Sequence, residues 1–178
     1  MDVTVLASGT GTNFQNLVFS GVPVTHLITD NPDAGVLSLA QDFGVYWTVL
    51  PFRKPRQEWG EDLISIMGMP DLIVCAGFMR ILPATVVETY RGRIINVHPS
   101  LLPAFKGSTD AITEGYELGC KTFGATVHKV TEDVDGGSIL AQHGFNVDAL
   151  TPLREIKEMV QAIEHVILPE TTKRILNI

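Results

Sequence analysis

Short β-branched runs alternate with helix-compatible stretches through the first hundred residues, and this alternation restricts the architecture more than any other feature. Val3–Leu6 reads as a strand closed by the loop Ser8-Gly9-Thr10-Gly11-Thr12-Asn13, with a helix over residues 13–19. A second strand spans residues 22–28, and Asp30-Asn31-Pro32-Asp33 is a turn and N-cap for a helix over residues 34–42. Gly44 stops that helix, and residues 45–50 form a third strand. Residues 55–67 suit a helix, 72–76 a buried strand, 83–90 a short helix with proline in its first turn, and 93–97 another strand. Strands separated by helices are βαβ units. They require a mostly parallel sheet with helices on both faces, and ligands at the carboxyl ends of the strands.

The pattern changes after Pro99. A loop to Gly107 precedes a helix over residues 110–118, and two strands, 122–130 and 138–147, then follow in direct succession. Joined by Glu132-Asp133-Val134-Asp135-Gly136-Gly137, they read as an antiparallel pair added to the sheet. Residues 152–176 form a long amphipathic helix, with Pro169 as the place where it can break. No repeat or linker divides the chain, so residues 1–178 are expected to form one domain.

Charge narrows the function. Thirteen basic against twenty acidic residues leave a net charge of −7, which argues against a surface built for nucleic acid or anionic membrane. Cys75 and Cys120 make neither a disulfide framework nor a four-ligand zinc site. Residues 1–11 read as a strand running into a loop rather than as a secretory leader, so the expected compartment is the cytoplasm.

Three segments can carry chemistry. The loop 8–13 delivers the chain from a strand to a helix N-terminus, whose free amides suit a phosphate. It is neither a dinucleotide fingerprint nor a Walker loop, and a tight turn with Asn13 as helix cap would use the same residues. In Asn96-Val97-His98-Pro99-Ser100-Leu101-Leu102-Pro103, Asn96 and His98 sit two apart at a strand's carboxyl end and so face the same way. The imidazole can move a proton near neutral pH, and the amide can donate to an oxyanion. The acidic loop ending in Asp135-Gly136-Gly137 combines a carboxylate with two residues that permit close backbone approach, as a plain hairpin turn also would. Its three acids read as solvated charge rather than as metal ligands, and His128 reads as a histidine satisfied within the sheet.

Taken together, residues 96–103, Gly124-Ala125-Thr126-Val127-His128 and Val134-Asp135-Gly136-Gly137 resemble the folate-dependent formyltransferases. The loop 8–13 and Ala76-Gly77-Phe78-Met79-Arg80-Ile81-Leu82 narrow the resemblance to the purine-biosynthetic members. It implies a Rossmann-like formyltransferase fold in which residues 1–98 supply nucleotide-binding units and residues 99–178 the folate-binding and catalytic loops. It also implies transfer of the formyl group of 10-formyltetrahydrofolate to the amine of glycinamide ribonucleotide, without a metal, by a monomer or weak homodimer. Asn96, His98 and Asp135 match the catalytic trio, with Asn96 and protonated His98 stabilising the oxyanion and Asp135 raising the imidazole pKa and relaying a proton. Gly11, Thr12 and Asn13 match the phosphate grip, and Glu164 the group that holds ribose hydroxyls. Met79, Arg80, Ile81 and Leu82 match the folate-pocket wall, closed at the pterin end by Val134. The segment after Gly107 departs from the family pattern. Hydrolysis of formyltetrahydrofolate, or formylation of another amine, is the alternative use of the same trio.

Overall fold

In the computed structural model, which describes residues 1–178, the elements run β1 (Val3–Leu6), α1 (Thr12–Phe19), β2 (Val24–Thr29), α2 (Val36–Asp42), β3 (Tyr46–Val49), α3 (Arg56–Met67) and β4 (Leu72–Cys75). They continue with α4 (Ala84–Thr89), β5 (Ile94–His98), α5 (Ala111–Glu117), β6 (Thr122–Lys129), β7 (Ile139–Asn146) and α6 (Leu153–Leu176). The strands form one seven-stranded sheet in the order β3-β2-β1-β4-β5-β6-β7. β1 to β5 are parallel, and β6 and β7 are added antiparallel. Successive strands step outward from β1 to β3, after which the chain returns to the other side of β1 as β4. That reversal opens a crevice at the carboxyl ends of β1 and β4, where open α/β sheets take ligands.

Strand alternation sorts the core into two layers. Val3, Val5, Leu72, Val74, Ile95 and Val97 pack with Phe14 and Leu17 of α1 and Ile156 and Val160 of α6. The intervening residues Leu6, Ile73, Cys75 and Ile94 pack with Trp59, Leu63 and Met67 of α3 and Val86 and Tyr90 of the α4 segment. With both faces covered, β4 is buried at every position, which is why it reads as an unbroken apolar run.

The structure departs from expectation at three places. α6 runs unbroken through Pro169, which is buried with Ile167, Leu168, Thr171 and Thr172; packing of this face outweighs the lost backbone bond. Asp30 does not cap α2, which starts at Val36 after Gly35; the carboxylate is buried and bonded elsewhere. Asn13 lies inside the first turn of α1 rather than capping it, and its side chain reaches across to α6.

The loop after β5 is pinned to the antiparallel pair. The Thr126 hydroxyl donates to the Ser100 carbonyl (2.6 Å) and accepts from the Leu102 amide (3.1 Å) and the Gln142 amide (2.8 Å). Both Leu102–Pro103 and Lys54–Pro55 are cis. The Thr126 hydrogen bonds hold the backbone beyond His98 in a fixed path against β6 and β7.

Candidate active site

A cavity of about 470 Å³ runs along the carboxyl ends of the strands. Asn13 and Glu164 line one end, Asn96, His98, His128 and Asp135 the middle, and Met79 to Leu82 with Val130 to Glu132 and Val134 the other end.

At the middle, two imidazoles converge on one carboxylate. His98 Nδ1 lies 3.5 Å from Asp135 Oδ2, and His128 Nε2 lies 3.4 Å from Asp135 Oδ1. The far nitrogen of each ring faces a backbone carbonyl: His98 Nε2 faces Phe105 O at 3.2 Å, and His128 Nδ1 faces Lys129 O at 2.9 Å. A carbonyl accepts only, so each far nitrogen carries a proton, and protonation can change only at the nitrogen turned to Asp135. The Gly107 amide donates to Asp135 Oδ2 at 3.0 Å. Asp135 itself adopts a left-handed backbone (φ 51°), a conformation that aspartate and asparagine tolerate better than most side chains.

Asn96 stands directly opposite His128 in the β5–β6 register, so both side chains share one face, and Asn96 Nδ2 lies 3.2 Å from His128 Nε2. His128 is the satisfied sheet histidine that was expected, buried with polar partners at both ring nitrogens, and those partners include Asn96 and Asp135. The irregularity between Val127 and His128 in the β6–β7 pairing sits at this residue. No spacing in the sequence signals that register; only the strand pairing brings residue 128 beside residue 96.

The electrostatics also differ from expectation in one respect. Burial pushes the His98 pKa below the ordinary imidazole value, and Asp135 and the Phe105 carbonyl offset this only in part. The carboxylate does act upward, as expected, but desolvation is larger. Asp135 is held below the usual carboxylate range, chiefly by the His128 ring and then by the Gly107 amide and His98, against an opposing effect of burial.

At one end of the cavity, Gly11 (φ 85°) turns the chain into α1, packed so closely that a Cβ would lie 2.5 Å from Val36 Cγ2. Of the three loop residues, Asn13 lines the cavity and Gly11 and Thr12 do not. Thr12 Oγ1 accepts from Gln161 Nε2 (3.0 Å), and Asn13 Nδ2 donates to Glu164 Oε2 (2.9 Å). Asn13 Oδ1 is buried without a partner. Glu164 is no exposed helix charge: burial pushes its pKa up to about 7, against a smaller downward effect of Asn13. Gln161, which the sequence reading passed over, shares its face of α6.

At the other end, the turn carrying Met79 to Leu82 is tied to β1 and β2. Ser8 Oγ donates to Asp30 Oδ1 (2.5 Å) and accepts from the Met79 amide (2.9 Å), while Arg80 Nε donates to Asp30 Oδ2 (2.5 Å). The Arg80 guanidinium also covers the Phe52 ring at 5.0 Å. Its charge is therefore committed, and Met79, Ile81 and Val134 offer exposed apolar surface at this end. No group of three or more His, Cys, Asp or Glu side chains is arranged to hold a metal ion. No helix is long and apolar enough to cross a membrane.

Comparison with known proteins follows the same lines. The pattern of the formyl transferase family matches residues 1–172. The phosphoribosylglycinamide formyltransferase of Bacillus subtilis is 33% identical over 98% of this chain and 94% of its own length. That of Escherichia coli is 34% identical over 95% of this chain and 84% of its own. Among solved structures, the phosphoribosylglycinamide formyltransferase of Bacillus halodurans superposes with a TM-score of 0.94 at 32% identity, covering 99% of this chain and 95% of that one.

Proposed function

The chain belongs to the formyl transferase family, and we propose that it transfers the formyl group of 10-formyltetrahydrofolate to the amine of glycinamide ribonucleotide, a step of purine biosynthesis. The observation that carries this reading is the Asn96–His98–Asp135 cluster midway along one cavity. Its two ends suit the two substrates: helix-terminal amides beside Asn13 and Glu164 for a nucleotide, and an apolar slot at Met79 to Leu82 for a flat heterocycle.

The amine nitrogen attacks the formyl carbon, and the carbonyl oxygen takes the electron pair of the C=O bond. The Asn96 amide and His98, protonated at Nδ1, donate to that oxygen. Because the developing oxyanion adds a second negative charge beside the ring, it favours the imidazolium more in the transition state than in the free protein, where burial opposes it. Collapse then breaks the bond from carbon to the folate nitrogen, and the proton lost by the attacking amine ends on that nitrogen. Asp135, held ionised, is the acceptor through which an intervening water relays it. His128 keeps Asp135 turned toward the reacting centre.

The test is spectroscopic deformylation of 10-formyltetrahydrofolate with and without glycinamide ribonucleotide. Turnover that requires the ribonucleotide and disappears in His98→Ala supports the reading. Turnover indifferent to the ribonucleotide replaces it with hydrolysis, and no turnover with either directs attention to another amine acceptor.

A further inference from the structure

The nucleotide end of the cavity has a charge problem. A phosphate monoester carries close to two negative charges near pH 7, yet the only basic side chains lining the cavity are Arg80, His98 and His128. Arg80 is bound to Asp30, and both imidazoles face Asp135. The side-chain partner of Asn13 is Glu164, and no lysine lines the cavity. Backbone amides alone would have to hold a dianion beside a carboxyl group.

A lysine stands outside the lining on α6. Lys157, Gln161 and Glu164 follow one another at helical spacing and so form one stripe of α6. Gln161 and Glu164 already touch Thr12 and Asn13. Lys157 is one turn further toward the helix start, about 6 Å along the axis. Its Nζ lies 3.7 Å from Asp110 Oδ1, the residue next to the cavity-lining Thr109. Both side chains are about half exposed, at 46% and 57%, so the pair is loose. It also sits at the segment after Gly107, where the chain departs from the family pattern.

We propose that Lys157 is the cation that grips the substrate phosphate, exchanging Asp110 for the phosphate when the ribonucleotide binds. The assignment rests on the ribonucleotide being the acceptor. Asp110 keeps the lysine head group turned toward the cavity in the free protein and competes with the substrate for it. A desolvated phosphate, already held by amides, offers the ammonium a stronger charge-assisted bond than a half-exposed carboxylate does. Asp110 and Lys157 therefore oppose each other in affinity while supporting each other in the free structure.

Steady-state kinetics on the full chain separates these roles. Lys157→Gln is expected to raise KM for glycinamide ribonucleotide about three- to tenfold, with the loss in KM rather than kcat, and Lys157→Arg is expected to restore it. Asp110→Asn is expected to lower KM, because it frees the lysine. With the phosphate-free glycinamide riboside as acceptor, Lys157→Gln is expected to leave kcat/KM where the wild type has it. If both substitutions raise KM alike, or the riboside suffers as much as the ribonucleotide, the pair only braces α5 against α6 and the proposal is overturned. A wild type without ribonucleotide-dependent turnover overturns the functional reading itself, and this proposal with it.

Discussion

His98 Nδ1 and Asp135 Oδ2 stand 3.5 Å apart, with the two side chains only 6% and 12% exposed. The ring's other nitrogen is bonded to the Phe105 carbonyl, so the carboxylate acts on the single nitrogen whose protonation can change. Desolvation and the carboxylate pull that protonation in opposite directions, which makes the pair sensitive to anything that alters the charge beside it.

Asp135→Asn removes the proposed proton acceptor while keeping the size of the side chain and its tolerance of a left-handed backbone. We expect kcat to fall about 100-fold or more with little change in the folate KM. Full activity in this variant would show that Asp135 neither relays a proton nor supports the imidazolium.

The same variant has a spectroscopic signature. Asp135 raises the His98 pKa against burial, so its loss should move the His98 titration to lower pH. NMR of the imidazole Cε1–H in wild type and variant reads this directly, and an unmoved or upward titration contradicts the geometry. Stability follows the same signs. His98 binds its proton less tightly folded than unfolded, so the unfolded chain gains protons first and stability declines as pH falls below the ordinary value of 6.5. Asp135, held low, stabilises the fold above its ordinary value of 3.8, and that contribution is lost as pH falls through its lower folded value.

Glu164 has the opposite sign. Its folded pKa is pushed up to about 7 from an ordinary 4.5, so the folded chain holds the proton more tightly and stability declines as pH rises across that interval. Glu164→Gln stays neutral and still accepts from Asn13. It should melt above wild type at pH 8 and close to it at pH 5, while raising KM for the ribonucleotide. Thermal melts at the two pH values decide it, and a lower melt at pH 8 refutes it.

Gly11→Ala introduces both a left-handed alanine and a Cβ 2.5 Å from Val36 Cγ2. We expect a loss of about 1–2 kcal/mol in stability, read by denaturant unfolding, and a rise in ribonucleotide KM as the loop shifts off α1. An unchanged KM would place the phosphate elsewhere.

Ser8→Ala leaves the Met79 amide without its acceptor and Asp30 without one of its donors. A cost of about 1–3 kcal/mol is expected for these unsatisfied groups, with KM raised for the folate and not for the ribonucleotide. The reverse pattern would mean that this network does not shape the folate end.

Local chemistry was open to a reading of the chain. Asn96 and His98 face one way because strand side chains repeat every two residues, and the parallel layout follows from the βαβ alternation. Boundaries moved by a residue or two, and the acids near turns were harder to read: Asp30 has a turn's sequence but a buried role, because Ser8 and Arg80 reach it from residues distant along the chain.

Periodicity alone settled the sheet type, the placing of helices on both of its faces, and the strand end that carries the imidazole. The tertiary structure decided what surrounds that imidazole. His128 enters the site only through the β5–β6 register, the Phe105 carbonyl only through the pinned loop after β5, and Asn13 meets Glu164 only because α6 packs over α1. Periodicity is a property of neighbours along the chain. The charge balance at His98 is set by desolvation and by groups far apart in sequence, and it exists only once the chain has closed around them.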